Sequence, residues 1–110
     1  MITQLPASQF KDWLAAQVGA AVVLDVREPW EWQAASVQAE GFEIFYIPLG
    51  ELAGRLAELP ADAVVACLCH HGVRSQHAAA YLQRQGMEVV NLQGGIDAWS
   101  CELDPSVARY

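Results

Sequence analysis

The chain has 110 residues, enough for one core that buries roughly two thirds of the unfolded surface and too few for two. Its 13 Asp and Glu against 6 Lys and Arg give a net charge of −7, which argues against nucleic acid as a partner, because phosphate binding draws on clustered cations and Lys11 is the only lysine. Three cysteines, an odd number without framework spacing, argue against a disulfide-stapled secreted domain, and no apolar run is long enough to span a bilayer.

Met1 to Pro6 has neither a basic region nor a long apolar run, so no signal peptide and a cytoplasmic location are expected. Ser8 to Gln17 carries Phe10, Trp13 and Leu14 at helical spacing behind Ser8 as a cap and stops before Gly19; this helix is expected on the sheet edge. Ala20 to Val26 reads as a strand apolar on both faces. It delivers Asp25 and Arg27 to its carboxyl end, where ligand crevices of open α/β sheets lie. Glu28 to Ala35 reads as a short helix with Pro29 in its first turn, and Trp30 and Trp32 must point to different sides of it. After the polar stretch Ser36 to Gly41, Phe42 to Ile47 is a second strand closed by Pro48. Gly50 to Leu59 is a helix with Leu52, Leu56 and Leu59 on one face, stopped by Pro60.

The unbroken apolar run Ala63 to Leu68 suits a strand buried on both faces of a parallel sheet. A helix follows from Ser75, its expected cap, to Gln85, with Gly86 as the C-terminal glycine. Glu88 to Leu92 is the last strand, Gly94-Gly95 opens a helix through Trp99, and Cys101 to Tyr110 is expected to wrap in extended form. Strands alternating with helices define a single α/β domain over residues 1–110, with a mainly parallel central sheet flanked by helices on both faces.

Cys69 ends a strand just before a helix start, where unpaired backbone N–H groups and the positive end of the helix dipole collect. Arg74 and the adjacent His70 and His71 are expected to add positive charge, the setting that favours a thiolate. Cys67, inside the apolar run, reads as core. Two positions apart on an extended chain, Cys67 and Cys69 should have Cα atoms about 6.6 to 7.2 Å apart, at or past the limit for a disulfide.

Cys69-His70-His71-Gly72-Val73-Arg74-Ser75 resembles the active-site loop of rhodanese-like sulfurtransferases, and the likeness extends to Leu24 through Glu28 with Glu31-Trp32, to Ile47-Pro48-Leu49, and to Gly86 through Trp99. Nearly the whole chain is covered. The resemblance implies a Cys69 persulfide held by the loop residues His70, His71, Gly72, Val73, Arg74 and Ser75, with Asp25 and Arg27 as structural residues beside it. It also implies a small-molecule donor such as thiosulfate, a thiol or cyanide acceptor, an acceptor protein as a further candidate partner, and no cofactor. The chain departs from the family where the usual His-Ile-x-Gly-Ala segment is replaced by Val37 through Phe42, which bears on the nearby pocket wall.

Three rivals use the same residues. A cysteine phosphatase wraps phosphate with Cys-x5-Arg, but Cys69 and Arg74 have only four residues between them, and the loop holds no Asp or Glu to act as general acid. A metal site could draw on Cys67, Cys69, His70, His71 and His77, yet no common zinc spacing appears, so no metal is expected. A non-enzymatic binding module is the reading for such domains that have lost the Cys, which is intact here.

Overall fold

The computed structural model describes residues 1–110. Its centre is a five-stranded, all-parallel sheet in the order β1-β5-β4-β2-β3, made of β1 (Thr3–Pro6), β2 (Ala21–Asp25), β3 (Glu43–Tyr46), β4 (Val64–Leu68) and β5 (Glu88–Gln93). The helices are α1 (Phe10–Ala16), α2 (Pro29–Ala34), α3 (Val73–Arg84) and α4 (Gly95–Glu102), with a run of 3-10 turns over Leu49–Glu58. None of them is long and apolar enough to cross a membrane.

The two-sided apolar strands have the cause expected for a parallel sheet: both faces are covered. Successive side chains alternate between two clusters. Val22, Leu24, Val65 and Cys67 pack with Leu52 and with Ala78, Ala79 and Leu82 of α3. Val23, Ala66, Leu68 and Leu92 pack on the other side with Phe10, Ile96 and Trp99 of α1 and α4. Burying each of the larger side chains stabilises the fold by about 1.5–3 kcal/mol.

Several boundaries differ from the sequence reading. β1 was not expected; it is short, holds Pro6, and pairs on one side only, with β5, which is where a strand tolerates proline. Ser8 caps nothing: it lies in a 3-10 turn over Ala7–Gln9, and α1 begins at Phe10 behind Gln9. α1 also covers a face of the sheet instead of its edge, because Phe10 packs against Trp99 and Phe42 with ring centroids 4.7 and 5.1 Å apart. Nor is Ser75 a cap. Gly72, at φ +99°, turns the chain into α3, which starts at Val73 and places Ser75 in its first turn with the side chain buried.

The strand order sets the position of the site. From β2 the chain goes through α2 to β3 on one side, and from the neighbouring β4 it goes through α3 to β5 on the other. The connections diverge at the carboxyl ends of β2 and β4, the place where open α/β sheets form a crevice. Val26 N–H donates to Leu68 O at 3.0 Å and so keeps the two strand ends together up to Cys69.

Candidate active site

Cys69 follows β4 directly and is buried, at 1 % exposure. Its Sγ accepts the Gly72 N–H at 3.0 Å and lies 3.2 Å from Ser75 Oγ. The loop carbonyls turn the other way, since Ile96 N–H donates to Cys69 O at 2.8 Å and Asp97 N–H to His70 O at 3.2 Å. The first N–H groups of α4, which have no partner within their helix, are thus used to orient the loop. Gly95 is required there, because a Cβ on it would collide with the Cys69 and His70 carbonyl oxygens.

The positive charge that Arg74 brings to the loop is paired. Its guanidinium forks onto Glu31, with Nη1 donating to Oε1 at 2.6 Å and Nη2 to Oε2 at 2.9 Å. Glu31 also accepts the Glu28 N–H at 3.1 Å, closing the capping box of α2, and the Tyr110 hydroxyl at 2.6 Å. Hydrogen bonding from Arg74, helped by Tyr110 and the Glu28 amide, outweighs burial and holds the Glu31 carboxyl down at about 2. The same pairing raises Arg74 above the ordinary arginine value.

Asp25 and Arg27 form the second charged pair. Arg27 is fully buried; Nε and Nη2 donate to Asp25 at 2.9 and 2.7 Å. The remaining donors reach Glu31 O at 3.1 Å, Tyr110 Oη at 3.1 Å and Ala35 O at 2.9 Å. These bonds tie the middle and the C-terminal end of α2 to the end of β2.

His70 does not bring the expected charge. Burial, then the neighbouring His71, lowers its pKa below the ordinary histidine value. Its ring stacks between His71, with centroids 4.0 Å apart, and Tyr110, with centroids 3.9 Å apart and planes within 9° of parallel. His71 is exposed and 4.0 Å from Asp97, whose carboxylate already accepts Arg109 at 2.8 and 3.3 Å. Of the candidate metal ligands only His70 and His71 come together, with Asp97 within 4.8 Å. A shared ion would have to lie in the plane of both imidazoles, and near-parallel stacked planes have no such point close to their nitrogens. Cys67 is fully buried, and desolvation drives its thiol far above the usual range.

Behind Cys69 the wall is neutral. Ser75 Oγ contacts Asn91 Oδ1 at 2.6 Å, and Asn91 Nδ2 donates to Gly72 O at 3.0 Å and to Gln4 Oε1 at 2.9 Å. Val73 lies on the exposed rim of the loop. The three surface cavities, of about 390 to 560 Å³, are lined by other residues and do not reach Cys69. One of them takes Gln38, Glu40 and Phe42 as wall with Phe10 and Trp99, so the replaced segment shapes a cleft other than the cysteine loop.

Sequence reading missed Glu31 as the partner of Arg74, Tyr110 and Asn91. Asn91 had a signal, a polar residue inside Val89-Val90-Asn91-Leu92, since a buried amide requires hydrogen-bond partners. Tyr110 had none.

Residues 7–102 match the Rhodanese-like domain. The chain belongs to this family of rhodanese-like sulfurtransferase domains. It is 31% identical over 109 residues to a "Sulfurtransferase" of Allochromatium vinosum, covering 98% of this chain and 97% of that protein. It is 35% identical over 103 residues to the "Probable adenylyltransferase/sulfurtransferase MoeZ" of Mycobacterium tuberculosis, covering 93% of this chain but only 26% of that protein, so the chain spans about a quarter of this longer relative. Among solved structures it is similar to a rhodanese-related protein of Thermoplasma volcanium, with a TM-score of 0.79, 32% identity, and coverage of 98% of this chain and 99% of that one.

Proposed function

We propose that the chain, acting as a single domain over residues 1–110, moves sulfane sulfur from thiosulfate or a similar donor, through a persulfide on Cys69, to cyanide or a thiol. The observation that carries this reading is the placement of Cys69 Sγ at the end of β4, 3.0 Å from the Gly72 N–H, inside a loop whose carbonyls are drawn away by α4. The Cys69 thiol loses its proton, and the thiolate attacks the outer sulfur of the donor. For thiosulfate, the S–S bond breaks and sulfite leaves with the bonding pair. The acceptor then attacks the outer sulfur of the Cys69 persulfide, forming thiocyanate from cyanide or a new persulfide from a thiol, and the Cys69 thiolate returns. In this reading His70, His71, Gly72, Val73, Arg74 and Ser75 surround the transferred sulfur, while Asp25 and Arg27 hold the scaffold.

The phosphatase rival is weakened further by the charge pairs. Glu31, the acid beside Arg74, is ionised from about pH 2 upward and has no proton to give a leaving group, and Asp97 is held by Arg109. A second reading, sulfur carriage to a protein acceptor, is favoured by the exposed Trp30 and Val73, both more than 60 % accessible, on α2 and on the loop rim. We place either activity in a reducing, cytoplasmic compartment, since Cys67, Cys69 and Cys101 are all free thiols.

Intact mass before thiosulfate, after it, and after cyanide tests the cycle. One sulfur should be gained and then lost. Cys69→Ser should fold normally yet neither load sulfur nor turn over, because a hydroxyl does not carry sulfane sulfur. Loading of the serine variant at the wild-type level would refute the mechanism.

A further inference from the structure

The wall behind Cys69 can be read proton by proton. Asn91 lies on β5, 2 % exposed, in register with Cys67 of β4. Its Nδ2 sits 3.0 Å from the backbone oxygen of Gly72. A backbone carbonyl only accepts, so the atom facing it must be the amide NH2, and this settles which way the Asn91 side chain points. Gln4 Oε1 at 2.9 Å and Gln76 Oε1 at 3.2 Å share the remaining amide hydrogen. Oδ1 then faces Ser75 Oγ at 2.6 Å. Oδ1 carries no hydrogen, and two bare oxygens do not approach so closely, so the single Ser75 proton lies between them.

Cys69 Sγ, 3.2 Å from the same hydroxyl, therefore meets only its lone pairs. In that arrangement the S–H donates to Ser75. A thiolate would gain the Ser75 proton only if the hydroxyl turned away from Asn91 and left a buried acceptor without its donor, a cost that counts against ionisation. The Gly72 N–H is the donor that Sγ has without any rearrangement.

We propose that Asn91 is a positioning residue which, through Ser75, keeps the proton on resting Cys69 and so sets the pH at which the nucleophile becomes available. This rests on Cys69 being the reacting thiol of the proposed function. The titratable and charged groups on the surrounding elements are Cys67 on β4, Asp25 and Arg27 at the end of β2, Glu31 on α2, His70 and His71 in the loop, Arg74, His77, Tyr81 and Arg84 on α3, Glu88 on β5, Asp97, Cys101 and Glu102 on α4, and Asp104, Arg109 and Tyr110 in the tail. None of them is hydrogen-bonded to Sγ, and all are the same in the variants below.

The test is the pH profile of Cys69 alkylation by iodoacetamide, followed by site-resolved mass spectrometry on the full chain. Asn91→Leu, close in shape, releases the Ser75 proton to Sγ; the midpoint should fall, with alkylation about fivefold faster at a fixed pH below it, as expected for one hydrogen bond redirected. An unchanged or raised midpoint would overturn the proposal. In a Ser75→Ala background the same substitution should change the rate by less than about twofold, because the intermediary is gone. A full fivefold change there would mean that Asn91 acts by shaping the Gly72 turn, and the proposal would fail. Ser75→Ala alone decides the matter should Asn91→Leu not fold. It removes the acceptor of the S–H and no donor to the thiolate, so the midpoint should stay or fall, whereas a rise would show that the Ser75 proton already serves the thiolate. A protein that alkylates as expected and never loads sulfur would refute the proposed function and leave the role of Asn91 standing.

Discussion

The carboxyl ends of β2 and β4 lie side by side and are finished in opposite ways. Beyond β2 the chain gathers charge: Asp25, Arg27 and Glu31 are all buried and joined, with Arg74 reaching in from α3 and Tyr110 from the tail. Beyond β4 the groups that touch Cys69 Sγ are neutral, a backbone N–H and a hydroxyl backed by an amide. The charged cluster fixes where α2 and the loop stand, and the neutral one fixes what the thiol meets. A buried ion pair suits the first task because its geometry is demanding and breaking it is costly. It would serve the second poorly, since a fixed charge in contact with Sγ would commit the sulfur to one ionisation state, whereas the proposed cycle takes it from thiol to thiolate to persulfide.

The largest expected effect breaks the charged side. Asp25→Ala leaves Arg27, with 0% side-chain exposure, as an uncompensated buried cation and should cost about 3–5 kcal/mol in urea unfolding. The loop meets α2 through the Arg74–Glu31 pair and through Tyr110, neither of which bonds Asp25, so the folded fraction should still alkylate at Cys69 within about twofold of wild type, a limit taken from near-additivity between separate networks. Destabilisation under about 1 kcal/mol, the level of an exposed pair, would show that the pair is not the staple described.

Next in size is the acid limb of stability. Glu31 titrates at about 2 in the folded chain against an ordinary value of 4.5. A folded-state value depressed in this way contributes stability that is complete above about pH 4.5 and is lost as the pH falls toward 2. Glu31→Gln should cost on the order of 2 kcal/mol at neutral pH, and its penalty should shrink as the wild type is acidified through that window. A penalty that stayed constant from pH 5 to about pH 2.5 would mean that the loss comes from packing and not from the carboxylate.

What was legible in the sequence follows from how far apart the interacting residues are. The central strands could be read because two-sided burial leaves an apolar run within one segment, Ala63 to Leu68, and the loop from Cys69 to Ser75 because its residues are contiguous. β1 could not, since Thr3-Gln4-Leu5-Pro6 has no apolar run and its partner β5 lies more than eighty residues on. Arg74 was recognised and its environment was not, because Glu31 is 43 residues away and nothing local marks the pair. Ser75 was misread for an instructive reason. A serine before a helix is a plausible cap, but the positive φ of Gly72 moves the cap three residues earlier, and Asn91 on β5 draws the hydroxyl inward.

The smallest effect concerns Tyr110, which touches both halves of the comparison: its hydroxyl joins Glu31 and Arg27, and its ring lies on His70. Tyr110→Phe keeps the stack and removes only the hydroxyl, so it should cost about 1 kcal/mol, the worth of a hydrogen bond that water in part replaces. Burial, the leading cause, raises the Tyr110 phenol to about 12 from 10. A raised value contributes stability below about pH 10 that is lost as the pH climbs through about 12. The wild type should therefore weaken over that alkaline interval more than Tyr110→Phe does, and in a spectrophotometric titration the step that Tyr110→Phe removes should be centred at about pH 12. Because Tyr110 meets His70 through its ring and its backbone and not through its hydroxyl, Cys69 alkylation in Tyr110→Phe should match wild type, whereas Tyr110→Ala, which removes the stack, should change it. If the phenylalanine variant altered alkylation as much as the alanine variant, the hydroxyl network beyond β2 would be coupled to the thiol after all, and the division between the two strand ends would not hold.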